Sequence, residues 1–332
     1  MPAPILDTLL AQDTAKTTLE RALASGRVHH AYLFDGPEGV GKERAALGLA
    51  QALVCEVREP NGVAACGKCS ACMRVAIREG ERRPVHPDVV VLERGLYPPE
   101  QIGRRSPETQ DLSIDQVRTL VLSRAAFAPH EGKARVFILR RAEELSTGAA
   151  NALLKTLEEP GQRTHFILLS SRADTLLSTI RSRAQRVRFG PLPESVVERL
   201  LVSGGTAEPE AKAAAKLSRG SMAIATELAD PEATQEREAF VTEALAALVG
   251  SSLGPVLALA EEAKKRKDGL DLTLAALAQR LAEKARAAAL EGGDPVPGAL
   301  RYQMALKAMS QLDGNASAQL VVESMLVQMR GA

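Results

Sequence analysis

The fold of this chain is decided by residues 31–42, AYLFDGPEGVGK, in which a short apolar run leads directly into a glycine-rich loop ending in lysine. Gly36, Gly39 and Gly41 would let backbone N–H groups converge on phosphate oxygens, and Lys42 would add positive charge at the β- and γ-phosphates. An Ala- and Leu-rich helix is predicted to follow. Strand, loop and helix in this order indicate a nucleotide-binding fold, although the same glycines would also serve a tight strand-to-helix turn.

Two positions that handle magnesium in nucleotide hydrolases carry unsuitable residues. Glu43 follows the lysine where a hydroxyl normally ligates Mg²⁺, and Arg140 and Arg141 follow the apolar run 136–139 where acidic residues are expected. An arginine cannot ligate a cation. We therefore expect no hydrolysis of ATP by this chain alone, and a direct contact between Arg140 and Glu43 across the metal position. These residues leave open whether ATP or ADP still binds the loop.

The four cysteines of the chain lie close together in the sequence, at Cys55, Cys66, Cys69 and Cys72. Two CxxC steps share Cys69, and Cys55 would supply a fourth sulfur from the end of the preceding helix. Two disulfides in so short a stretch would be strained and are disfavoured in a reducing cytosol. The module 55–72 therefore predicts a closed, structural Zn²⁺ site. Redox or iron–sulfur chemistry is the alternative, and Cys55 is the ligand most distant from its partners.

Composition excludes several classes of function. The net charge of +1 gives no global electrostatic case for DNA binding, and aromatics at 3% with no Trp make stacking on bases an unsuitable mode. No apolar stretch approaches the ~20 residues that span a bilayer, and the N-terminus lacks the apolar region of a signal peptide. We expect a soluble, cytoplasmic protein without a membrane partner.

The order of predicted elements indicates a three-layer α/β domain followed by helices. Short apolar strands alternate with helices, as in a buried parallel sheet. The stretch 94–112 is polar and rich in Pro and Gly and is interpreted as a surface loop. After Pro191 only helices are predicted, one of them with a leucine stripe over 270–281 at helical spacing. The predicted strands are 31–34, 88–92, 135–139, 165–170 and 185–189.

Several motifs together resemble the clamp-loader subunits of the AAA+ family, in particular the delta-prime subunits of bacterial DNA polymerase III. The matching stretches span about 12–190, and the run NALLKTLEEP is the most specific of them. They are HHAYLFDG (29–36), the cysteine module, NALLKTLEEP (151–160), FILL (166–169) and IRSR (180–183).

The resemblance implies three domains and a set of partners. It implies an AAA+ P-loop-type α/β domain over 1–190, a helical lid over 191–231 and an all-α collar over 232–332 that builds a pentameric ring. The implied partners are the gamma/tau ATPase subunits and the delta subunit, with the sliding clamp and primed DNA reached through the complex. The implied process is DNA replication, with this chain as a non-catalytic subunit of the polymerase III holoenzyme.

The departures from the family pattern favour delta-prime over a motor subunit. A motor subunit would have Ser or Thr at Glu43, Asp-Glu at 140–141, and a nucleotide-sensing arginine near Ala223. The sensor-one position falls at Ser170 or Ser171.

Arg183, in Ser182-Arg183-Ala184, is retained. The resemblance implies that it acts in trans as an arginine finger on a neighbouring ATPase site. A surface salt bridge is the other interpretation of Arg183. Arg181 and Arg183 flank Ser182, so either of them could be the arginine that points outward.

Two rival functions remain. An active AAA+ ATPase motor subunit would need Glu43 and an unrecognised acid to replace the usual metal ligands. A zinc-dependent nucleic-acid-binding module is disfavoured by the near-neutral charge and the few aromatics.

Overall fold

The computed structural model describes residues 4–58, 65–102, 111–131, 133–250, 252–265, 269–314 and 316–331. Its described strands are β1 (Ala31–Asp35), β2 (Val89–Leu92), β3 (Arg135–Leu139), β4 (Thr164–Ser170) and β5 (Gln185–Arg188). These strands form one parallel sheet in the order β2-β3-β4-β1-β5. The strands predicted from apolar runs are confirmed to within one residue at each end.

Both faces of the sheet are covered, which explains why its central strands are continuously apolar. On one face, Leu33, Phe137 and Phe166 belong to a core cluster shared with the helices that follow β2 and β3. The alternate residues, such as Phe34 and Ile138, are also fully buried. Strand residues alternate between faces, so burial of both sets requires a helical layer on each side.

The chain divides into two compact units, Met1–Ala225 and Thr226–Ala332. Among the described residues, no helix is both long and apolar enough to cross a lipid bilayer. The helices of the first unit are α1 (Asp13–Ala24), α2 (Lys42–Val54), α3 (Ser70–Val75), α4 (Ile114–Val117), α5 (Ser123–Ala125), α6 (Thr147–Glu158), α7 (Ser178–Arg181), α8 (Glu194–Ser203) and α9 (Glu208–Leu217). Helix α10 (Met222–Ala229) spans the boundary between the units.

Local signals set the ends of two of these helices. Ser113 and Gln116 form a capping box, each side chain accepting the other's backbone N–H at 3.3 and 3.0 Å. Ser146 accepts the N–H of Ala149 and begins α6. The helical segment that Ser113 caps changes in its middle, where Arg118–Leu122 is π-helical and lies between α4 and α5.

Six of the eleven described residues of the stretch 94–112 are exposed, in line with the predicted surface loop, but three of its side chains are buried. Tyr97, Ile102 and Leu112 are buried and belong to the core that covers β2 and β3. Residues 103–110 lie outside the described residues. The described part contains one short 3₁₀ helix, Pro99–Ile102, and the three isolated apolar side chains have no periodicity that would have predicted their burial.

The second unit consists of helices packed around one apolar core. Helix α13 buries the predicted leucine stripe, since Leu270, Leu274, Leu277 and Leu281 are each at most 6% exposed. Each buried leucine contributes about 1.5–3 kcal/mol. The helices of this unit are α11 (Pro231–Val249), α12 (Gly254–Lys265), α13 (Leu270–Leu290), α14 (Val296–Asp313) and α15 (Ala318–Arg330).

Parallel pairing brings the chemistry-bearing residues to one edge of the sheet. The carboxyl ends of β1, β2, β3 and β4 lead into Gly36, Glu93, Arg140 and Ser171, respectively. Ligand sites of open α/β sheets lie at this edge. The sequence therefore places the phosphate loop and the altered metal positions side by side.

Partly buried histidines at the opposite edge make stability depend on pH. Burial lowers the pKa of His30 and of His165 below the ordinary value of 6.5. The unfolded chain therefore binds more protons than the folded chain below that value. We expect the free energy of unfolding to be fully developed above about pH 6.5 and to fall as the pH drops through and below it.

Urea unfolding between pH 8 and pH 5 measures this effect. His165→Gln should flatten the pH dependence, whereas His130→Gln, at an exposed site, should leave it unchanged. A wild-type curve that is level from pH 8 to pH 5 would contradict the expectation.

Candidate functional site

The glycines of the phosphate loop are required by close packing. A Cβ at Gly36 would lie 2.2 Å from the backbone oxygen of Phe189, and a Cβ at Gly39 would lie 2.3 Å from the nitrogen of Ala223. Gly39 and Gly41 also have φ of 71° and 100°, in the left-handed region that favours glycine. The loop thus has the tight strand-to-helix geometry that the sequence predicted, and its glycines are explained by contacts within the chain.

Lys42 is turned back onto its own loop. Its Nζ donates to the carbonyl oxygens of Gly36 and Pro37, the latter at 2.6 Å. The residue is only 9% exposed. Burial lowers the pKa of Lys42, against the opposing effect of the carboxylates of Glu38, Glu143 and Asp35. In this arrangement the ammonium group is already solvated by carbonyl oxygens and surrounded by acids, so it offers less to a phosphate than a free lysine would.

The start of α10 is hydrogen-bonded to the phosphate loop. Ser221 Oγ donates to the oxygen of Glu38 at 2.8 Å, and the N–H of Met222 donates to the oxygen of Gly39 at 3.1 Å. Ala223 stands where a motor subunit was expected to carry a sensing arginine, and here its backbone packs against Gly39. Contact between this segment and the loop therefore requires no nucleotide between them.

Arg140, at the carboxyl end of β3, is the centre of an ionic cluster beside the phosphate loop. One of its terminal nitrogens pairs with Glu43 and also donates to the oxygen of Arg82 at 3.0 Å. The other donates to Glu93 at 2.7 Å. Burial alone would lower the pKa of Arg140, but the carboxylates of Glu43 and Glu93 outweigh it and raise the pKa. The predicted contact of Arg140 with Glu43 is confirmed, and it ties α2 to the ends of β2 and β3.

Glu93 and Glu143 are the two site residues that sequence reasoning missed. Glu93 directly follows β2 and is adjacent to Arg140 only because β2 pairs with β3. Glu143 Oε1 accepts from Ser171 Oγ at 2.7 Å and from its N–H at 3.1 Å. Burial would raise the pKa of Glu143, but the hydrogen bonds from Ser171 and Ser170 lower it. The one signal for both acids in the sequence was that each follows a predicted strand whose carboxyl end lies at the same edge of the sheet.

The two candidates for the sensor-one position differ in their surroundings. Ser170 ends β4, and its backbone oxygen accepts the N–H of Gly36 at 3.2 Å. Its Oγ accepts from the N–H of Arg172 at 3.1 Å. Ser171 is the residue whose hydroxyl turns toward Glu143. Ser170 thus braces the loop through its backbone, while Ser171 holds the nearby acid.

The four predicted cysteine ligands come together. Their sulfur atoms all lie within 4.8 Å of one another, with Cys66 Sγ–Cys72 Sγ at 3.9 Å and Cys55 Sγ–Cys69 Sγ at 4.0 Å. Sulfurs bound tetrahedrally at ~2.3 Å from one centre are separated by slightly less than 4 Å, so the cluster fits a four-coordinate metal. Burial favours the neutral thiol of Cys66, but backbone N–H groups of Lys68 and Cys69 outweigh it and lower its pKa to about 6.

Arg183 lies at the end of the short helix after β4 and is held within its own chain. It pairs with Glu158, the last residue of α6, and donates to the oxygen of Thr179 at 2.9 Å. Its side chain is 32% exposed. Arg181 pairs instead with Asp174 at 3.1 Å. The two arginines are therefore distinguished by their partners, and both remain at the surface of the α/β unit.

Together, the fold and site define a P-loop α/β protein in which an arginine pairs with two glutamates beside the phosphate loop. A family model described as "DNA polymerase III, delta subunit" matches residues 11–193. Because this is more than half of the 332 residues, the chain belongs to that family of clamp-loader proteins.

Curated relatives are of two kinds. DNA polymerase III subunit delta' is 39% identical over 164 residues in Pseudomonas aeruginosa, covering 49% of this chain and 44% of that protein. In Bacillus subtilis it is 30% identical over 223 residues, covering 67% and 60%. The gamma/tau subunit of Mycobacterium tuberculosis is 34% identical over 193 residues, covering 58% of this chain. The chain thus spans 30% to 60% of the length of these relatives.

The ionic cluster yields a stability prediction. Arg140→Met should lower the free energy of unfolding by about 1–3 kcal/mol, because Glu43 and Glu93 would lose their shared cation; this is less than for a fully buried pair, since both acids are partly exposed. Urea denaturation measures the change.

Arg141→Met is the matched control, expected to cost under about 1 kcal/mol because its ion pairs are more exposed. In a double-mutant cycle, Glu43→Gln should reduce the effect of Arg140→Met. Additive effects would show that the pair contributes nothing.

Proposed function

We propose that this chain is a delta-prime-type, non-hydrolysing stator of the DNA polymerase III clamp loader, acting in the cytoplasm during DNA replication. The observation that carries the proposal is the Arg140 cluster, in which a guanidinium bridges Glu43 and Glu93 where a hydrolase holds magnesium. Membership of the clamp-loader family supports it. The chain is therefore not an enzyme by itself but a non-catalytic subunit of the polymerase complex.

Nucleotide is not needed to hold this site together. Lys42 is satisfied by two loop carbonyls, and the lid segment bonds directly to the loop through Ser221 and Met222. ATP or ADP would have to displace these contacts and would gain little from Mg²⁺ beside Arg140. Any binding at Gly36, Gly39, Gly41 and Lys42 is accordingly weak and vestigial.

The proposed partners are the gamma/tau ATPase subunits and the delta subunit, arranged with this chain in a pentameric ring. The sliding clamp and primed DNA are reached through that ring. Residues 191–231 act as the lid and 232–332 as the collar. The second unit supports this role, because apolar side chains remain exposed at Leu253, Leu257, Leu320 and Val327 on the mutually packed α12–α15 side.

Arg183 is the residue proposed to act on a neighbour. Its guanidinium is at the surface and its chain-internal partner, Glu158, has a side chain that is 48% exposed, so exchange of this carboxylate for phosphate oxygens costs little. A planar fork of donors can bind two oxygens of a γ-phosphoryl group. The finger would thus stabilise charge that develops in the ATPase site of the adjoining subunit.

The cysteine cluster is proposed to hold structural Zn²⁺. Four thiolates leave no coordination position for water, and the cluster lies within the short insertion between α2 and β2. Zinc would fix the turn containing α3 by holding Cys55 and the three cysteines of the CxxC steps. Its role is mechanical, since no acid or base of the phosphate-loop site takes part in the cluster.

Metal content tests the zinc proposal. Protein purified without chelator should contain about one equivalent of zinc, and Cys69→Ser should contain less than about half an equivalent while the sheet stays folded. Elemental analysis and circular dichroism give the two readouts. Ser70→Ala is the matched control, because Ser70 lies beside Cys69 and supplies no sulfur. A zinc-free wild type would contradict the proposal.

Arg183→Ala tests the stator function in the loader assembled with its partner subunits. A finger at one site can be worth ~10³-fold or more, but the other sites of the ring keep theirs, so a several-fold fall in DNA-stimulated ATP hydrolysis and clamp loading is expected. Arg183→Lys should be nearly as impaired, because a point charge cannot reproduce the fork. The isolated chain should show no magnesium-dependent turnover.

Arg181→Ala is the control. It should reduce ATP hydrolysis and clamp loading less, since Arg181 pairs with Asp174, a few residues earlier in its own chain. An Arg183→Ala loader that assembles, hydrolyses ATP and loads clamps like the wild type would remove the finger from the mechanism. Turnover on the order of 1 s⁻¹ by the isolated chain would favour a motor subunit instead.

A further inference from the structure

A groove of about 570 Å³ lies beside the edge strand β2, away from the phosphate loop's own residues. Its volume is in the range of ligand-binding clefts. Apolar side chains form most of its floor, and Val85, at 49% exposure, stands at its rim. The lining residues are contributed by the loop before β2, by β2, by the turn after it and by the α4–α5 helix: Glu81, Arg83, Pro84, Val85, His86, Pro87, Val89, Val90, Tyr97, Gln101, Leu120 and Arg124.

Two arginines give the groove its charge. Arg83 is stacked on the ring of Tyr97, with its guanidinium carbon 4.4 Å from the ring centroid. This contact uses the face of the guanidinium and leaves its edge N–H groups for an acceptor. Arg124 is exposed. Within the part of the chain that the structure describes, neither arginine has an ion-pair partner.

The walls of the groove are fixed before any ligand arrives. The N–H of Val85 donates to the oxygen of Arg74 at 3.0 Å, and Arg74 belongs to α3 of the cysteine module. Arg74 in turn makes a two-fold hydrogen bond to Glu131 at 2.5 and 2.6 Å. The loop before β2 is therefore hydrogen-bonded to α3 of the cysteine module, so that module also positions one wall of the groove.

The opposite wall is also braced. Arg135 donates to the backbone oxygen of Arg124 and forms a buried pair with Asp88 at 3.1 Å. Leu120 lies in the π-helical stretch Arg118–Leu122, and such stretches occur frequently at functional sites. Because Leu120 and Arg124 are four residues apart, both can face the groove from one side of the helix.

We propose that this groove binds an acidic peptide segment of a partner protein, with an aliphatic or aromatic side chain on the apolar floor. Carboxylates of the peptide pair with Arg83 and Arg124, and Tyr97 supports the first of these contacts. Glu81 is the one acid among the lining residues. Its carboxylate would repel a further acidic residue of the peptide placed next to it. The match of an apolar floor with unpaired cations selects peptides carrying both properties.

The test is selection of a random twelve-residue peptide library, displayed on phage, against the full-length, metal-retaining chain. Enriched sequences should combine at least two acidic residues with a large apolar one. A selected peptide, resynthesised with a fluorophore, should bind about tenfold more weakly to Arg83→Ala and to Arg124→Ala, since each loses a charge-assisted hydrogen bond. Val85→Ser should also weaken binding, and added salt should weaken it further.

Arg199→Ala, at an exposed arginine of α8 outside the groove, is the matched control and should bind as the wild type. Circular dichroism and metal content show whether each variant is folded. Enrichment without acidic residues, or binding that is unchanged in both groove variants, would overturn the proposal. In a competition experiment, oligothymidylate and the unlabelled peptide are each used to displace the labelled peptide. If oligothymidylate does so at the lower concentration, the groove binds nucleic acid and the peptide proposal is overturned.

Discussion

The ion pair of Arg140 with Glu43 is the interaction on which the rest of the site depends. A P-loop fold collects negative charge at the carboxyl edge of its sheet because its function is to hold a metal there. In this chain Glu43 and Glu93 keep that negative charge, and a guanidinium supplies the positive charge without any ion. These ion pairs are formed entirely between groups of the polypeptide.

Lys42 and the start of α10 are likewise bonded to groups of the chain itself. Ser221 and the N–H of Met222, at the start of α10, donate directly to the backbone oxygens of Glu38 and Gly39. A two-state element needs a ligand that binds its states differently. In the proposed stator role, Arg140 and the loop carbonyls that bond Lys42 would leave a nucleotide little difference in affinity between two such states.

Sequence reasoning located the elements well where the signal was local. Runs of four to six residues, mostly apolar except at β5, placed the five described strands, and the residue types at 43 and 140 were enough to predict their contact. It failed where the determinant was tertiary. Glu93 joins the cluster only through the β2–β3 pairing, and Leu112 is buried without periodic neighbours. The partner of Arg183 is also set by the packing of α6 beside α7, which no spacing in the sequence reports.

The glycines of the phosphate loop have a steric role in the fold that is separate from phosphate binding. The classical reason for Gly36 and Gly39 is backbone access to phosphate, yet each has an independent steric reason here. Side chains at these positions would collide with the backbone of Phe189 and of Ala223. A side chain at Gly36 would have to displace the segment after β5, and one at Gly39 would have to displace the start of α10. Lys42 is held in the same way, because its ammonium group closes the loop by bonding two of its carbonyls. The loop sequence is thus what the fold itself demands, and its presence alone is weak evidence for bound nucleotide.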